Sequence, residues 1–259
     1  MTGFLQISGV TKRFGGLVAV NAVSFDIAEG EIVSVIGPNG AGKSTLFKLI
    51  SSFLKPTAGE VRFQGERISG LAPHVVARRG VVRTFQETTI FKSMTVRDNV
   101  VIAHHLRSRA TLAGFFLGTS TARRDEIEFR RSADEILEFL GLASIADETA
   151  STLPHGLLRA LGIAIGLATA PKILLLDEPF AGMNKAETRH AVDLVRAVRG
   201  RGVTILLVEH DMAAVMQISD RIVVLNFGQK IAEATPAEIQ RDEKVIEAYL
   251  GTEDETIGI

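Results

Sequence analysis

Gly37-Pro38-Asn39-Gly40-Ala41-Gly42-Lys43-Ser44-Thr45 decides the fold. Its first eight residues satisfy G-x-x-x-x-G-K-[ST] in full, and the flanking pattern is the one the motif requires. Ahead of it, Ile32-Val33-Ser34-Val35-Ile36 reads as a fully buried strand. Behind it, Leu46, Ile50, Phe53 and Leu54 fall on one face at helical spacing, which predicts a helix running toward the turn at Pro56. A strand, a glycine-rich turn and a helix in that order make a phosphate cradle. The glycines let backbone N–H groups curl around phosphate oxygens, and the helix N-terminus adds positive potential. Lys43 supplies a point charge for β- and γ-phosphates, and the Ser44 hydroxyl is a ligand for Mg²⁺.

A second buried strand, Ile173 to Leu176, ends in Asp177-Glu178. An acidic pair at a strand end is by itself an ordinary polar terminus. Beside a phosphate loop it supplies what phosphoryl transfer lacks, a metal ligand in Asp177 and a general base for water in Glu178. Further strands are predicted at Val203–Val208 and Arg221–Leu225, with a helix face at Ala191, Leu194, Val195 and Val198 between the first of these and the acidic pair. Near the N-terminus, Val23, Phe25 and Ile27 alternate with polar residues, as do Val61 and Phe63, so half-buried strands are expected there. Gly80 to Gln86 reads as a strand ending in a polar residue. The stretch from about Val96 to Leu142 is more polar and helical. Thr235-Pro236-Ala237-Glu238 is a capping box with proline at the first helical position, which starts a late helix.

Composition sets the limits. The 259 residues are 46% hydrophobic and 23% charged, ordinary for a folded chain and against disorder. A formal net charge of −1 argues against nucleic acid held by general basicity. With no cysteine, thiolate metal sites and cysteine nucleophiles are excluded. The mean hydropathy of +0.22 prompts a search for membrane spans. The most apolar run, Leu157 to Leu176, is interrupted by Arg159, Pro171 and Lys172, and is too broken for a span of about 20 residues. Met1 to Val10 has no signal-peptide pattern, so a cytoplasmic chain is expected.

Lys43, Gln86, Leu153-Pro154-His155-Gly156, Asp177-Glu178 and His210 follow one another in the order of an ATP-binding cassette. The chain resembles the nucleotide-binding subunit of ABC transporters from end to end. More narrowly, RFGGLVAV (Arg13–Val20), GVVRTFQ (Gly80–Gln86), PFAGMN (Pro179–Asn184), EHDM (Glu209–Met212) and EAYLG (Glu247–Gly251) resemble the larger cassette subunit of branched-chain amino acid uptake systems. The resemblance implies an α/β P-loop fold with an N-terminal antiparallel β region and an inserted helical subdomain of about residues 96–160. One domain is expected over 1–251, with a frayed tail at 252–259. It implies ATP and Mg²⁺, with Gln86 approaching both metal and water, His210 on the γ-phosphate, and Phe14 where cassettes stack an aromatic ring on adenine. His74, His104, His105 and His190 are expected to be plain surface residues.

The resemblance also implies partners. Pro154, His155 and Gly156 stand where a cassette caps the γ-phosphate held by the opposite subunit, so a second cassette, same or related, is expected head to tail. Thr88 to Met94, with the apolar pair Ile90-Phe91, is expected to lie under membrane-spanning permease subunits. A solute-binding protein would act indirectly, and the chain would sit peripherally on the cytoplasmic face of the inner membrane. The departures are in the signature itself. The usual serine and glutamine are Pro154 and Leu157, and the polar positions later in that helix are Gly162 and Ile165. What remains there is Gly156, backbone N–H groups and a helix dipole, which can hold an anion unaided. A soluble cassette ATPase of DNA repair or chromosome organisation is the competing reading, but no long heptad run or zinc module is present. A small-molecule P-loop kinase would account for Lys43 and Asp177 and not for Gln86, Gly156 and His210 in that order.

Overall fold

Residues 3–84, 90–108 and 119–250 are described by a computed structural model of the chain. Two long strands, β1 (Leu5–Phe14) and β2 (Leu17–Ile27), form an antiparallel hairpin closed at Gly15-Gly16. Strand β3 (Ile32–Ile36) leads through the phosphate loop into α1 (Lys43–Ile50). Then come β4 (Ala58–Phe63), β5 (Glu66–Arg67), α2 (Pro73–Arg78) and β6 (Val81–Arg83). Among the described residues α3 (Val96–His104), α4 (Ser120–Phe139) and α5 (His155–Ala168) follow. The remainder is β7 (Ile173–Asp177), α6 (Lys185–Gly200), β8 (Thr204–Val208), α7 (Met212–Ile218), β9 (Arg221–Asn226), β10 (Gln229–Ala234), α8 (Pro236–Ile239) and α9 (Glu243–Leu250).

Two sheets result. The N-terminal sheet is antiparallel in the order β2-β1-β4-β5. The larger one runs β10-β9-β3-β8-β7-β6, parallel throughout except for the β9–β10 hairpin at its edge. Strands β3, β7 and β8 are buried at every residue. That explains their unbroken apolar sequence, since a parallel sheet covered on both faces has no polar side to show. Successive side chains point to opposite faces. Ile32, Ile36, Leu174, Leu176, Ile205 and Leu207 therefore join a core under α3 to α7. Val33, Val35, Ile173, Leu175, Leu206 and Val208 join a second core with α1 and the antiparallel sheet. The carboxyl ends of β3, β6, β7 and β8 open on one edge, the place where open parallel sheets hold ligands.

The expected β-rich N-terminus, helical middle and second α/β half are present, and the capping box at Thr235 and Glu238 starts α8. Several details differ. Helix α1 ends at Ile50, because Ser51 closes its last turn and Ser52 takes a left-handed backbone with φ 59°. Phe53, expected on its buried face, is 46% exposed. Strand β6 is only Val81–Arg83, and Gln86 lies outside the described residues. His104 is buried, stacked on Phe129 with its ring nitrogens bonded to Val100 O and Ser132 Oγ. It is a satisfied core histidine, because it falls on the face of α3 that packs against α4. The Ile90-Phe91 pair is split: Ile90 enters the core and Phe91 stays 53% exposed. Among the described residues no helix is long and apolar enough to cross a membrane.

Candidate active site

The phosphate loop depends on glycine at two places. Gly37 has φ 148° and a Cβ there would stand 2.1 Å from Leu225 O. Gly42 has φ 98°, and its Cβ would stand 2.4 Å from Ala19 O. Any side chain would push the loop off β9 or β2. Gly42 is also the N-cap of α1, and no side chain caps that helix. Its first N–H groups are thus left for an external anion. Lys43 folds back across the loop, its Nζ donating to Gly37 O at 2.5 Å and Pro38 O at 2.9 Å. Burial lowers the lysine's pKa, while the Glu178 carboxylate nearby raises it. A cavity of about 370 Å³ opens above, walled by residues 39–45 together with Leu17, Val18, Ala19, Glu178, Phe227 and Gly228. Residues Asn39, Gly40, Ala41, Ser44 and Thr45 are all on that wall. Pro38 contributes its carbonyl to Lys43 and does not line it.

The acidic pair sits at the end of β7. Asp177 is buried, and its Oδ2 accepts from Arg83 Nη2 at 2.5 Å. Glu178 turns sharply away with φ 50°, a left-handed backbone uncommon outside glycine. Its N–H donates to Val208 O at 2.9 Å. This turn aims Glu178 into the cavity that holds Lys43. Lys43, Ser44 and Glu178 thus line one chamber, and Asp177 and His210 are not on its wall.

Two residues not singled out as site residues in the sequence hold segments next to it in the chain. Glu209 is 1% exposed, and burial raises its carboxyl pKa. Its Oε1 accepts from Phe180 N at 2.7 Å and its Oε2 from His210 N at 3.0 Å. One carboxylate therefore ties the turn after Glu178 to the loop carrying the exposed His210. The Tyr249 phenol of α9 is hydrogen-bonded to the backbone of Gly37, the first residue of the phosphate loop, and burial raises its pKa. The only advance signals were the EHDM and EAYLG stretches, which mark these segments without saying what they touch.

Other predicted residues stand apart. Phe14, at the end of β1, is 46% exposed, which excludes a core role. Lys12 Nζ lies 5.2 Å from its ring centroid. Phe14 is not on the wall of the phosphate-loop cavity, whose apolar side includes Leu17 and Phe227, and Phe227, on the β9–β10 turn, is 83% exposed. Pro154 is the N-cap of α5, and His155 and Gly156 form its first turn, with no side-chain cap. None of the three lines the Lys43 cavity.

Comparison with known proteins agrees with this geometry. Residues 20–181 match the family model described as ABC transporter, and residues 229–255 match the one described as branched-chain amino acid ATP-binding cassette transporter. The chain is 47% identical over 249 residues to the high-affinity branched-chain amino acid transport ATP-binding protein BraF of Pseudomonas aeruginosa, covering 95% of this chain and 97% of that one. It is 45% identical over 248 residues to LivG of Escherichia coli, with the same coverage. Among solved structures it resembles the ADP conformation of an ABC transporter cassette, at TM-score 0.85 and 31% identity, covering 97% of this chain and 100% of the other. A dimeric cassette bound to ADP and Pi aligns with TM-score 0.75 at 26% identity, covering 90% and 98%. The chain therefore belongs to the ABC transporter family, as a nucleotide-binding ATPase cassette.

Proposed function

We propose that this cassette hydrolyses ATP to energise uptake of branched-chain or chemically related amino acids from the cytoplasmic face of the inner membrane. The observation that carries the hydrolytic part is the chamber that joins Lys43, Ser44 and Glu178. The substrate class rests on the relatives, which are named for branched-chain amino acid transport. In this reading Gly37 to Thr45 cradle the phosphates, Lys43 neutralises their charge, and Glu178 takes the proton of the attacking water. His210 and Gln86 orient the γ-phosphate and that water, and Phe14 lies against adenine. Residues 1–251 act as one cassette with its helical subdomain at about 96–160.

The donor set suits Mg²⁺. Oxygen ligands from Ser44 and Asp177 are the hard donors it prefers. Among the described residues no group of three or more His, Asp or Glu could cage a metal alone. That is the arrangement expected of an ion held by one or two protein oxygens and by phosphates. When bound, Mg²⁺ would neutralise charge on the β- and γ-phosphates.

Pro154, His155 and Gly156 lie outside the chamber, so they serve only if a second cassette brings its own copy across. The dimeric relative supports that assembly. Permease subunits would dock beside Phe91 and over a cavity of about 290 Å³ lined by Phe53, Ala77, Val81, Gly162 and Ile165. Gly162 and Ile165 are the positions where polar residues are usual, so the groove has gained apolar surface where a helix could rest. A solute-binding protein would choose the cargo. Uptake of labelled leucine by vesicles carrying the cassette and its co-purified membrane subunits tests the whole reading. Leucine excluded, with another solute carried, would limit it to transport. No membrane subunits in a detergent pull-down would reject it.

Phe91→Asp is expected to leave fold and nucleotide binding intact, since the side chain is half exposed and outside the chamber. It should abolish co-purification with membrane subunits and reduce uptake to background. Unchanged co-purification and uptake would remove this surface from the interface.

A further inference from the structure

Arg83 has no place in the chemistry above, and the burial of its pair with Asp177 needs a reason. Arg83 ends β6 and Asp177 ends the neighbouring parallel strand β7. Their side chains are 9% and 8% exposed and 2.5 Å apart. Thr84 N donates to Leu175 O at 2.9 Å and Thr84 Oγ1 to the same oxygen at 3.3 Å. The chain just after Arg83 is therefore pinned to β7, and the guanidinium is held where Asp177 is. A carboxylate buried without a counter-charge is costly, so Asp177 needs a cation at all times. An arginine is a permanent cation with donors in a fixed fork. Two cations on one buried carboxylate repel each other strongly where the local dielectric is low.

We propose that Arg83 is a displaceable counter-ion for Asp177, filling the electrostatic place of the divalent cation and thereby setting how readily the site accepts it. This rests on the reading of Asp177 as a Mg²⁺ ligand. Arg83 is a positioning residue, acting through Asp177. Without metal, Asp177 is neutralised and kept aimed at the sheet edge. With metal, Asp177 exchanges one cation for another, so the buried charge is never left bare.

The sign of one measurement separates this from a fixed supporting role. A permanent orienter of Asp177 would strengthen metal binding, so its loss would weaken it. A competitor's loss would tighten it. The experiment titrates Mg²⁺ against binding of a fluorescent ATP analogue to the purified full chain, with parallel binding and melting curves in EDTA. Arg83→Gln is expected to lower the Mg²⁺ concentration for half-maximal effect by about tenfold, the equivalent of one charge-assisted hydrogen bond. Affinity in EDTA should be unchanged, and the metal-free chain should melt earlier. Arg83→Lys keeps a charge and loses the fork, so it should shift the half-point the same way by a smaller factor. It decides the matter if Arg83→Gln does not fold. An unmoved or raised half-point in the folded variant overturns the proposal. Asp177→Asn is the control for the underlying reading. If it leaves Mg²⁺ dependence intact, the assignment of Asp177 fails. If it abolishes that dependence while Arg83 variants do not move it, only the counter-ion role fails.

Discussion

Glu178→Gln should bind ATP and fail to turn it over, with the steady-state rate at saturating ATP down about 10²–10⁴-fold. Glutamine keeps the size of glutamate and its hydrogen-bonding outline. The left-handed turn at φ 50° strains both side chains alike, so the fold should survive. The variant cannot accept a proton from water as a carboxylate does. It also removes the negative charge that Lys43 faces across the chamber. More of the lysine's field then falls on the γ-phosphate, and ATP should be retained longer. A stalled, closed dimer is the expected product, and size-exclusion chromatography in Mg-ATP, with and without a related partner cassette, reads it out. The start of α5 makes this a demanding test, because Pro154 and Leu157 leave only Gly156 and backbone groups to cap the opposite phosphate. A monomer in both runs overturns the head-to-tail site. Wild-type turnover removes Glu178 from its role as base.

Lys43→Ala should lose nucleotide rather than turnover alone. The ammonium donates to Gly37 O and Pro38 O, and it is the one lysine on the wall of the chamber. On ATP binding the ammonium would exchange those loop carbonyls for β- and γ-phosphate oxygens. Losing the charge-assisted hydrogen bonds it would make to phosphate should weaken ATP binding by roughly 10²-fold or more. Alanine is the best helix former and stands at the first position of α1, so folding should be spared. The melting temperature without nucleotide should stay near that of the parent, while the rise that ATP produces in the parent disappears. Retained ATP binding with parent-like hydrolysis would remove Lys43 from the site.

How far the sequence could be read follows from the range over which each pattern acts. Ile32–Ile36, the glycine loop and the start of α1 are contiguous, and their periods and turn residues are local facts. Asp177-Glu178 was legible because it terminates an apolar strand. The end of α1 was misjudged because spacing alone continues to Phe53, whereas the Ser51-Ser52 turn stops the helix. The burial of His104 depended on which face of α3 meets α4, and a single histidine gives no period to reveal that. Arg83 and Asp177 are 94 residues apart, and Glu209 reaches Phe180 across 29. Both contacts exist only because β6, β7 and β8 lie side by side in an order that the sequence does not print. Phe227 carries no pattern of its own in the sequence, and only the β9–β10 hairpin sets it beside the phosphate loop.

The seat of Tyr249 against Gly37 gives the molecule a built-in optical probe. The chain has no tryptophan and one tyrosine. Its ultraviolet emission therefore comes from a single phenol hydrogen-bonded to the first residue of the nucleotide loop. Quenching at that ring, corrected for adenine absorbance, would report on the state of the loop. Occupancy can be followed in the unlabelled protein, and the same phenol offers one resolvable ring resonance for magnetic-resonance work.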